Sequence, residues 1–470
     1  MEFINRESEL ARINQALMRD ESMLLILYGR RRIGKTRLIQ AVNRTNDIYF
    51  TADQRERPLQ IAAFSHAVAA YISDFSDVIY PDWETCLRVL ASRISERTNG
   101  LSGTDDNGKR AIFIDEFPYL VKNSPDLPRV IQKLFDRREE LAFHLVLCGS
   151  SQKMMHDLVI DSRAPLYGRA NEIIRLSPMH IFWLKEILGC DTVQAVLEYS
   201  VWGGIPRYWE LRIQEKGLKE AVISHIFSPQ GALHEEALRL FLDDSRDTIQ
   251  MASLIDLVAS GAHRLSEIAS RMNKPATHLN RPLQRLIDLG YLKREIPYGV
   301  SHRNAKRTLY KVADPFIAFY FKFVVPGKTL LELGHAERIF NELVRTGFPE
   351  HCSAIWEDLC RESVPELFSD KLFNKGCRWW GRTSSKTQAE IDIVAESHDG
   401  KEIVVGEVKW TGSVNVPSLC NELETKIKGI PVISGKKIRK ALFLKYRPEY
   451  IPEGFLVFTP EEVVRGSKAG

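Results

Sequence analysis

The sequence has no hydrophobic run long enough to cross a membrane. Its densest apolar stretch, PFIAFYFKFVVPG (residues 315–327), is interrupted by Lys322 and is much shorter than the ~20 residues that a membrane-spanning helix needs. The first ten residues, MEFINRESEL, are charged and contain no apolar segment like that of a secretory signal. We therefore expect no membrane partner, and we expect residues 315–327 to form a buried helix or strand.

Closely spaced cysteine pairs are also absent. Seven cysteines are scattered along the chain without a CxxC pair, which argues against a disulfide framework and against a cysteine-based zinc site. They are Cys86, Cys148, Cys190, Cys352, Cys360, Cys377 and Cys420. This usage predicts a protein of the reducing cytoplasm.

Length and composition predict an ordinary multidomain globular protein. A chain of 470 residues is expected to contain about three domains, at roughly 150 residues each. Hydrophobic residues make up 44% and charged residues 27% of the chain, as in a typical globular protein. The net charge of +4 is too small to identify a partner, so the distribution of charge along the chain is more informative.

A glycine-rich loop follows a strongly apolar segment near the start of the chain. Residues 23–28, MLLILY, predict a strand buried on both faces, and GRRRIGKT (residues 29–36) and a helical pattern follow it directly. This order matches the phosphate-binding motif GxxxxGK[ST] in the strand–loop–helix setting that it requires. Lys35 should reach the β- and γ-phosphates of ATP, and Thr36 should supply a hydroxyl ligand to Mg²⁺. The predicted nucleotide contacts of this loop are Gly29, Arg30, Arg31, Arg32, Ile33, Gly34, Lys35, Thr36 and Arg37.

Two acidic residues end a second predicted strand, AIFIDEF (residues 111–117). Asp115 falls at the carboxyl end of this strand, where its carboxylate can hold the Mg²⁺. Glu116 is then the natural base or water-positioning residue for hydrolysis; a pair of solvated acids is the alternative. A third strand, FHLVLCGSS, brings Ser150 to the same sheet edge, where its hydroxyl could sense the γ-phosphate or could cap the next helix instead.

Five segments together resemble one family of ATPases. They are YGRRRIGKTRL, IFIDEF, LCGSS, PLYGR and GGIPRY. The set is similar to the prokaryotic "archaeal ATPase" family, which is itself similar to AAA+ and STAND ATPases, and the opening FxxRxxEL also fits. The resemblance implies an ASCE-type α/β fold in which an inserted strand separates the acidic strand from the strand before the glycine-rich loop. It also implies that Arg169 is an arginine finger acting in trans, which requires a homo-oligomer, and that Arg207 senses the nucleotide; a surface ion pair is the alternative for each.

Residues 247–315 predict two helices, a turn, a third helix and a hairpin. The segment HLNRPLQRLIDLG (residues 278–290) places Leu279, Leu283 and Leu286 on one face at helical spacing. The strand-like segments YLKREIP and RTLYKVADP follow it. This arrangement resembles a winged helix-turn-helix domain, whose second helix enters the DNA major groove.

The same region is strongly basic. Between Gly261 and Lys311 there are eleven Lys or Arg and three Asp or Glu residues, an excess of eight that is larger than the net charge of the whole chain. Such an excess favours DNA as a partner, because each phosphate contact releases condensed counterions. A lid over the nucleotide site with a merely solvated basic face is the alternative. The predicted DNA contacts are Lys274, Arg281, Arg285, Lys293, Arg303, Lys306 and Arg307.

The last part of the chain, from about residue 350, predicts a helix, three strands, a helix and a strand. Asp392 lies on the strand EIDIVAE, and the next strand, KEIVVGEVKW, ends with Glu407 and Lys409 on one face. Asp392 and Glu407 can share a divalent cation. Lys409 can position the attacking water or stabilise the developing oxyanion, and Glu357 on the preceding helix would add an outer or second-metal ligand.

The D…E-x-K spacing is similar to that of the PD-(D/E)XK nuclease superfamily, in the form attached to archaeal-type ATPases. The segments RWWG, EIDIVA and GEVKW carry this resemblance. It implies a restriction-endonuclease-like α/β domain that cleaves DNA with Mg²⁺, or with Mn²⁺ in its place. No proline precedes Asp392, a departure that many members of the superfamily tolerate. A domain that binds without cutting is the alternative.

These patterns predict an α/β protein of five segments. They are a P-loop ATPase domain (1–208), a helical connector or lid (209–246), a winged helix domain (247–315), a helical linker (316–349) and a nuclease-like domain (350–470). The predicted protein binds and hydrolyses ATP, associates with DNA and carries a Mg²⁺-dependent endonuclease domain that the nucleotide regulates. The alternative is a STAND-like signalling or scaffolding ATPase whose C-terminal domain binds nucleic acid or protein without cleaving it.

Overall fold

A computed structural model describes residues 5–100, 109–159, 164–244, 248–301 and 307–465. The chain divides into two units. The first unit comprises the described residues up to Pro178 and a short segment that begins at Leu242. The second unit comprises the remaining residues from Met179 onwards.

The first unit contains a five-stranded parallel sheet. Its strands are β1 (Leu24–Gly29), β2 (Ile48–Thr51), β3 (Arg110–Asp115), β4 (Phe143–Gly149) and β5 (Glu172–Leu176). Their order is β2-β3-β4-β1-β5, so β4 pairs with both β1 and β3. The expected strand between the acidic strand and the strand before the glycine-rich loop is therefore confirmed. The carboxyl ends of β1, β3 and β4 meet at one edge of the sheet.

Helices of the first unit pack on this sheet. They are α1 (Glu7–Leu17), α2 (Lys35–Val42), α3 (Arg57–Ala69), α4 (Trp83–Gly100), α5 (Phe117–Asn123), α6 (Leu127–Phe135) and α7 (Gln152–Val159), with 3₁₀ turns at Phe75–Asp77 and Arg138–Glu140. Phe64 of α3 and Trp83 of α4 meet edge to face and share one apolar core with Ile26 and Leu145 of the sheet. This core supports the sheet edge from which the polar loops extend.

The second unit begins with helices. They are α8 (Ile181–Leu188), α9 (Thr192–Trp202), α10 (Pro206–Arg212), α11 (Leu218–Val222) and α12 (Glu236–Asp244), with a π-helical turn at Ile223–Phe227. The end of α12, from Leu242, is the segment that belongs to the first unit. The buried carboxylate of Glu198 accepts two hydrogen bonds of 2.7 Å from the guanidinium of Arg212. This ion pair joins α9 to α10.

Three helices and a hairpin follow in the predicted order. They are α13 (Thr248–Ala259), α14 (Leu265–Arg271), α15 (Ala276–Asp288), β6 (Leu292–Glu295) and β7 (Leu309–Val312). The two strands are antiparallel. Leu279, Leu283 and Leu286 of α15 are buried, as their helical spacing predicts. The interpretation of this order as a winged helix stays a prediction.

The apolar stretch at residues 315–327 is helical. It forms α16 (Pro315–Phe319), a π-helical turn (Tyr320–Val324) and the start of α17 (Val325–Glu332), and α18 (Ala336–Ile339) and a π-helical turn at Phe340–Val344 come next. None of the helices in the described ranges is long and apolar enough to cross a membrane.

A second five-stranded sheet forms the end of the chain. Its elements are α19 (Arg345–Leu367), β8 (Cys377–Arg382), β9 (Gln388–Glu396), β10 (Glu402–Lys409), α20 (Val416–Lys428), a 3₁₀ turn (Pro431–Ile433), β11 (Lys437–Leu444), β12 (Phe455–Phe458) and α21 (Pro460–Arg465). The strand order is β12-β11-β10-β9-β8, with β8, β9 and β10 antiparallel and β10, β11 and β12 parallel. The predicted helix, three strands, helix and strand are present, and β12 and α21 add to them.

Candidate active sites

The glycine-rich loop joins β1 to α2 at the edge of the first sheet. Its backbone is left-handed at Arg32 (φ 67°) and at Gly34 (φ 98°), a conformation that glycine adopts without the steric cost of a Cβ atom. Gly29 is required for a different reason, because a Cβ there would lie 2.7 Å from the carbonyl oxygen of Leu176 on β5. The two glycines of the motif therefore fix the loop's curvature and its packing.

Lys35 folds back over this loop. It is the first residue of α2 and is buried. Its Nζ donates hydrogen bonds to the carbonyl oxygens of Gly29 at 3.0 Å and of Arg30 at 3.1 Å. The ammonium charge and the positive end of the helix dipole thus face the same loop, an arrangement that suits a phosphate group.

Asp115 and Thr36 meet at the same sheet edge. The hydroxyl of Thr36 donates to Asp115 Oδ2 at 2.8 Å, although the two residues lie on α2 and β3. A hydroxyl and a carboxylate this close fit Mg²⁺, which takes one or two protein oxygens together with phosphate oxygens and water. The structure therefore brings together the two predicted metal ligands of this site.

Tyr49 on β2 is a contact of this site that the sequence did not reveal. Its phenol donates to Asp115 Oδ2 at 3.0 Å. Burial, and to a smaller extent Asp115, raises the pKa of Tyr49 to about 12, so the phenol stays protonated and remains a donor at neutral pH. The contact depends on the pairing of β2 with β3, which no local pattern indicated.

Glu116 and Ser150 are also in contact. Glu116 has a left-handed backbone (φ 56°), and its Oε2 accepts hydrogen bonds from the hydroxyl of Ser150 at 2.8 Å and from its N–H at 3.2 Å. The serine hydroxyl is therefore directed at the predicted catalytic base. Sensing of the γ-phosphate by Ser150 stays a prediction.

The remaining arginines predicted to act on the nucleotide differ in their surroundings. In the loop, Arg30 and Ile33 are buried, Arg32 is half-buried and Arg31 is exposed, and Arg37 is exposed on α2. Arg169 forms an ion pair with Asp136 at 3.1 Å. Arg207, on α10 of the second unit, forms one with Glu210 at 2.8 Å. These pairs are what surface arginines ordinarily form, and the roles of Arg169 and Arg207 stay predictions.

The second candidate site lies on adjacent antiparallel strands of the C-terminal sheet. Asp392 Oδ2 on β9 accepts a hydrogen bond from the N–H of Val408 on β10 at 2.9 Å. The Nζ of Lys409 lies 4.0 Å from Asp392 Oδ2 and 3.6 Å from Glu407 Oε2. Both carboxylates are largely buried. One ammonium group is therefore within ion-pair distance of both acids, which lie on neighbouring strands as the sequence predicts.

Glu407 has a second cationic partner that the sequence pattern did not indicate. Lys426 on α20 donates to Glu407 Oε1 at 2.7 Å. Burial and the nearby Asp392 nevertheless raise the pKa of Glu407 above its usual value, because a buried carboxylate next to another acid resists ionisation. Lys426 lies one helix beyond the E-x-K strand, and its approach depends on how α20 packs on the sheet.

Glu357 is held by a buried arginine. Arg361 donates to Glu357 Oε2 at 2.8 Å and to the main-chain oxygen of Asp392 at 2.8 Å. Burial raises the pKa of Glu357. Within the described ranges, no three His, Cys, Asp or Glu side chains converge as a group that could hold a metal ion. Coordination of Mg²⁺ or Mn²⁺ by Asp392 and Glu407 therefore stays a prediction.

The predicted DNA contacts separate into three groups. Lys274 and Arg281 are exposed and Arg285 is half-buried on or before α15. Lys293 instead forms an ion pair with Asp358, and the guanidinium of Arg307 lies against Gly381 of β8, so both side chains contact the C-terminal sheet or its helix. Arg303 and Lys306 lie outside the described residues.

Two parts of the chain match known protein families. Residues 3–210 match a family described as an ATPase domain predominantly from Archaea. Residues 320–420 match a family described as archaeal and bacterial proteins of unknown function. An uncharacterized protein of Methanocaldococcus jannaschii is 28% identical over 417 residues, which cover 87% of each chain.

A solved structure also resembles this chain. The Walker-type ATPase paby2304 of Pyrococcus abyssi superposes with a TM-score of 0.51 at 18% identity, over 68% of this chain and 96% of that one. This likeness concerns the fold. The parallel sheet and the glycine-rich loop agree with the family match, which makes residues 3–210 similar to an ATPase domain found predominantly in Archaea.

Proposed function

We propose that this chain is a Mg²⁺-dependent ATPase that binds DNA and whose C-terminal domain cleaves the DNA backbone. The observation that carries the nuclease half is the contact of Lys409 with both Asp392 and Glu407 on adjacent strands. A lone E-x-K motif would not suffice, because charged residues are common at strand edges.

In the ATPase domain, each polar group has a separate task. Lys35 binds the β- and γ-phosphates, while Arg30, Arg31, Arg32 and Arg37 add positive charge around them. Thr36 and Asp115 would hold the Mg²⁺ that accompanies ATP. Glu116 takes the proton of the attacking water or orients that water, and Ser150 holds the carboxylate of Glu116 through its hydroxyl. Arg169 acts on the site of a second copy, and Arg207 responds to the nucleotide.

In the C-terminal domain, Asp392 and Glu407 would hold a Mg²⁺ or Mn²⁺ ion. Such an ion lowers the pKa of a bound water and neutralises charge on the scissile phosphate. Lys409 stabilises the oxyanion that develops during attack. Glu357 would be an outer ligand of the metal ion. Lys426 orients Glu407, because its ammonium lies 2.7 Å from Oε1, and it partly opposes the rise in the pKa of Glu407 that burial and Asp392 cause.

DNA binding is assigned to α15 and the turn before it. Lys274 and Arg281 are exposed, and Arg285 lies one turn further along the same helix. Their charges favour a polyanion because phosphate contacts release counterions. Arg281 and Arg285 therefore place positive charge on the helix that the winged-helix interpretation directs at DNA.

The test is a cleavage assay with the full chain. Supercoiled plasmid, linear duplex and single-stranded DNA are incubated with Mg²⁺ or Mn²⁺, with and without ATP. We expect cleavage by the wild type and its loss in Asp392→Asn and in Glu407→Gln. Glu422→Gln is the matched control, because Glu422 is an exposed acid on α20. Intact DNA under every condition, in preparations that hydrolyse ATP, would eliminate the nuclease half.

A second candidate function has one specific observation in its favour. Lys426 forms an ion pair with Glu407, and Arg361 forms one with Glu357. A domain that binds no metal would need such cations to neutralise its buried acids. In this alternative, the chain is a signalling or scaffolding ATPase switch, and the C-terminal domain binds nucleic acid or protein without cutting. Under the conditions of the same assay, DNA that is bound but not cleaved supports this alternative.

A further inference from the structure

A buried arginine lies directly behind the second candidate site. Arg361, on α19, is 5% exposed. Its Nε donates to the main-chain oxygen of Asp392 at 2.8 Å, and its Nη2 donates to Glu357 Oε2 at 2.8 Å. One guanidinium group therefore holds both the strand that carries Asp392 and the side chain of Glu357.

The other guanidinium nitrogen faces two further acids. Arg361 Nη1 donates to Asp358 Oδ1 at 3.1 Å and lies 3.6 Å from Glu295 Oε1. Glu295 is the last residue of β6, so it belongs to the hairpin and not to the C-terminal domain in which Arg361 lies. The hairpin thus supplies part of the negative charge that surrounds this arginine.

Several independent contacts hold the hairpin against the C-terminal sheet. The N–H of Tyr298 donates to the carbonyl oxygen of Arg378 at 3.0 Å, and its phenol donates to Glu396 Oε2 at 2.9 Å. Gly299 packs so closely that a Cβ there would lie 2.7 Å from a methyl group of Val432. Lys293 at the start of the hairpin pairs with Asp358. Backbone, apolar and ionic contacts thus hold the hairpin against the C-terminal domain.

We propose that Arg361 is a positioning residue of the nuclease site and that the hairpin, through Glu295, holds it in place. This proposal rests on the proposed nuclease function. Arg361 is not a catalytic residue, because its partners are a main-chain oxygen and acids that would bind or flank the metal. A planar guanidinium with donors in a fixed fork can satisfy these partners at once, whereas the single ammonium of a lysine cannot.

The consequence is a physical link between the DNA-binding region and the cleavage site. The strand β6 follows α15 directly along the chain, and its Glu295 touches the arginine that holds Asp392. A displacement of the hairpin would remove one acid from Arg361 and loosen the support of Asp392. Residues that orient metal ligands typically contribute a factor of about 10 to 100 in metal affinity or activity.

The test uses the full chain with Glu295→Gln and Arg361→Lys, and with Glu453→Gln as the control, since Glu453 is exposed in the C-terminal domain. We expect the Mn²⁺ concentration for half-maximal cleavage to rise by about 10-fold or more in the first two variants. ATP hydrolysis and the Tm of the ATPase domain should stay unchanged. An unchanged Mn²⁺ dependence in both variants overturns the proposal.

A second readout separates this proposal from the nuclease function. The N–H of Val408 bonds to the carboxylate of Asp392, so its hydrogen exchange reports the position of Asp392 without any cleavage. We expect faster exchange of this amide in Arg361→Lys and Glu295→Gln than in Glu453→Gln. If the wild type leaves DNA intact, the nuclease function fails alone. If exchange at Val408 is the same in all proteins, the positioning role fails whatever the cleavage assay shows.

Discussion

Replacing Glu116 with Gln isolates the proton-transfer step of ATP hydrolysis. The carboxylate accepts hydrogen bonds from the hydroxyl of Ser150 at 2.8 Å and from its N–H at 3.2 Å. Glutamine has the same shape, and its amide oxygen can still accept both bonds. Its amide cannot take a proton from water. The glutamine side chain of this variant therefore keeps the position of the carboxylate but lacks its basicity.

The size of the effect follows from the role assigned to Glu116. A positioned general base contributes about 10²- to 10⁴-fold, which corresponds to about 2.7 to 5.4 kcal/mol of activation free energy at 1.36 kcal/mol per tenfold. We expect kcat for phosphate release to fall by that factor in Glu116→Gln. The Kd for ATP should change by less than about threefold, because Lys35, Thr36 and Asp115 remain.

The assay pairs steady-state phosphate release with direct measurement of ATP binding. Glu139→Gln serves as the control, because Glu139 is an exposed acid of the same domain. Thermal unfolding of all three proteins establishes that they are equally folded. A Glu116→Gln protein that hydrolyses ATP within about threefold of the wild-type rate would refute the assignment of Glu116 as the base.

Three other predictions address the arginine finger, the DNA-binding face and acid stability. Mixing Arg169→Ala with Lys35→Ala should restore part of the ATPase activity, because each would supply what the other lacks; no restoration removes the trans role. Reversing the charges of Arg281 and Arg285 should weaken duplex-DNA binding. It should also reduce the slope of log K against log salt concentration by about one to two units. Lys293→Ala should change the affinity and the slope less, because Lys293 is paired with Asp358. Equal effects of the two substitutions would contradict this assignment. Burial lowers the pKa values of His144, His180 and His351 to about 4, so the unfolded chain binds more protons than the folded one between pH ~6.5 and ~4 and stability falls as pH drops through this window. The raised pKa values of Glu407 and Glu357 act in the opposite direction, so the histidine effect is measured against a variant. Between about pH 7 and pH 5, the Tm of the wild type should decrease relative to that of His144→Gln, and a constant difference would contradict the neutral state of His144.

The local elements at both sites could be predicted because each has a strong sequence pattern. The run MLLILY before the glycine-rich loop is β1, and the acids after AIFID end β3. The alternation in EIDIVAE and KEIVVGEVKW corresponds to β9 and β10. Asp115 meets Thr36, and Lys409 meets both Asp392 and Glu407, because each group lies at an edge or face that the strand geometry fixes.

The partners of these groups could not be predicted, because they come from tertiary packing. Tyr49 reaches Asp115 only because β2 pairs with β3. Lys426 and Arg361 reach the acids of the second site from helices on either side of the E-x-K strand in the sequence. No spacing rule links these residues to the motifs, and their charges look like those of any exposed helix face.

The basic region shows a similar limit. Its excess of positive charge is a property of the sequence, but the sequence does not show which charges the fold neutralises. Lys293 pairs with an acid of α19 that is 65 residues further along the chain. Arg281 stays exposed on α15. The prediction of DNA contacts therefore depends on the fold as much as on composition.

We infer that one chain holds two separate cation sites for phosphate chemistry, and equilibrium dialysis with Mn²⁺ can count them. Without nucleotide, we expect the wild type and Glu422→Gln to bind Mn²⁺ and Asp392→Asn to lose that binding. A nonhydrolysable ATP analogue should add a further bound ion in all three proteins, and Asp115→Asn should lose only this one. Equal Mn²⁺ binding by Asp392→Asn and the wild type without nucleotide would rule out a cation site at Asp392.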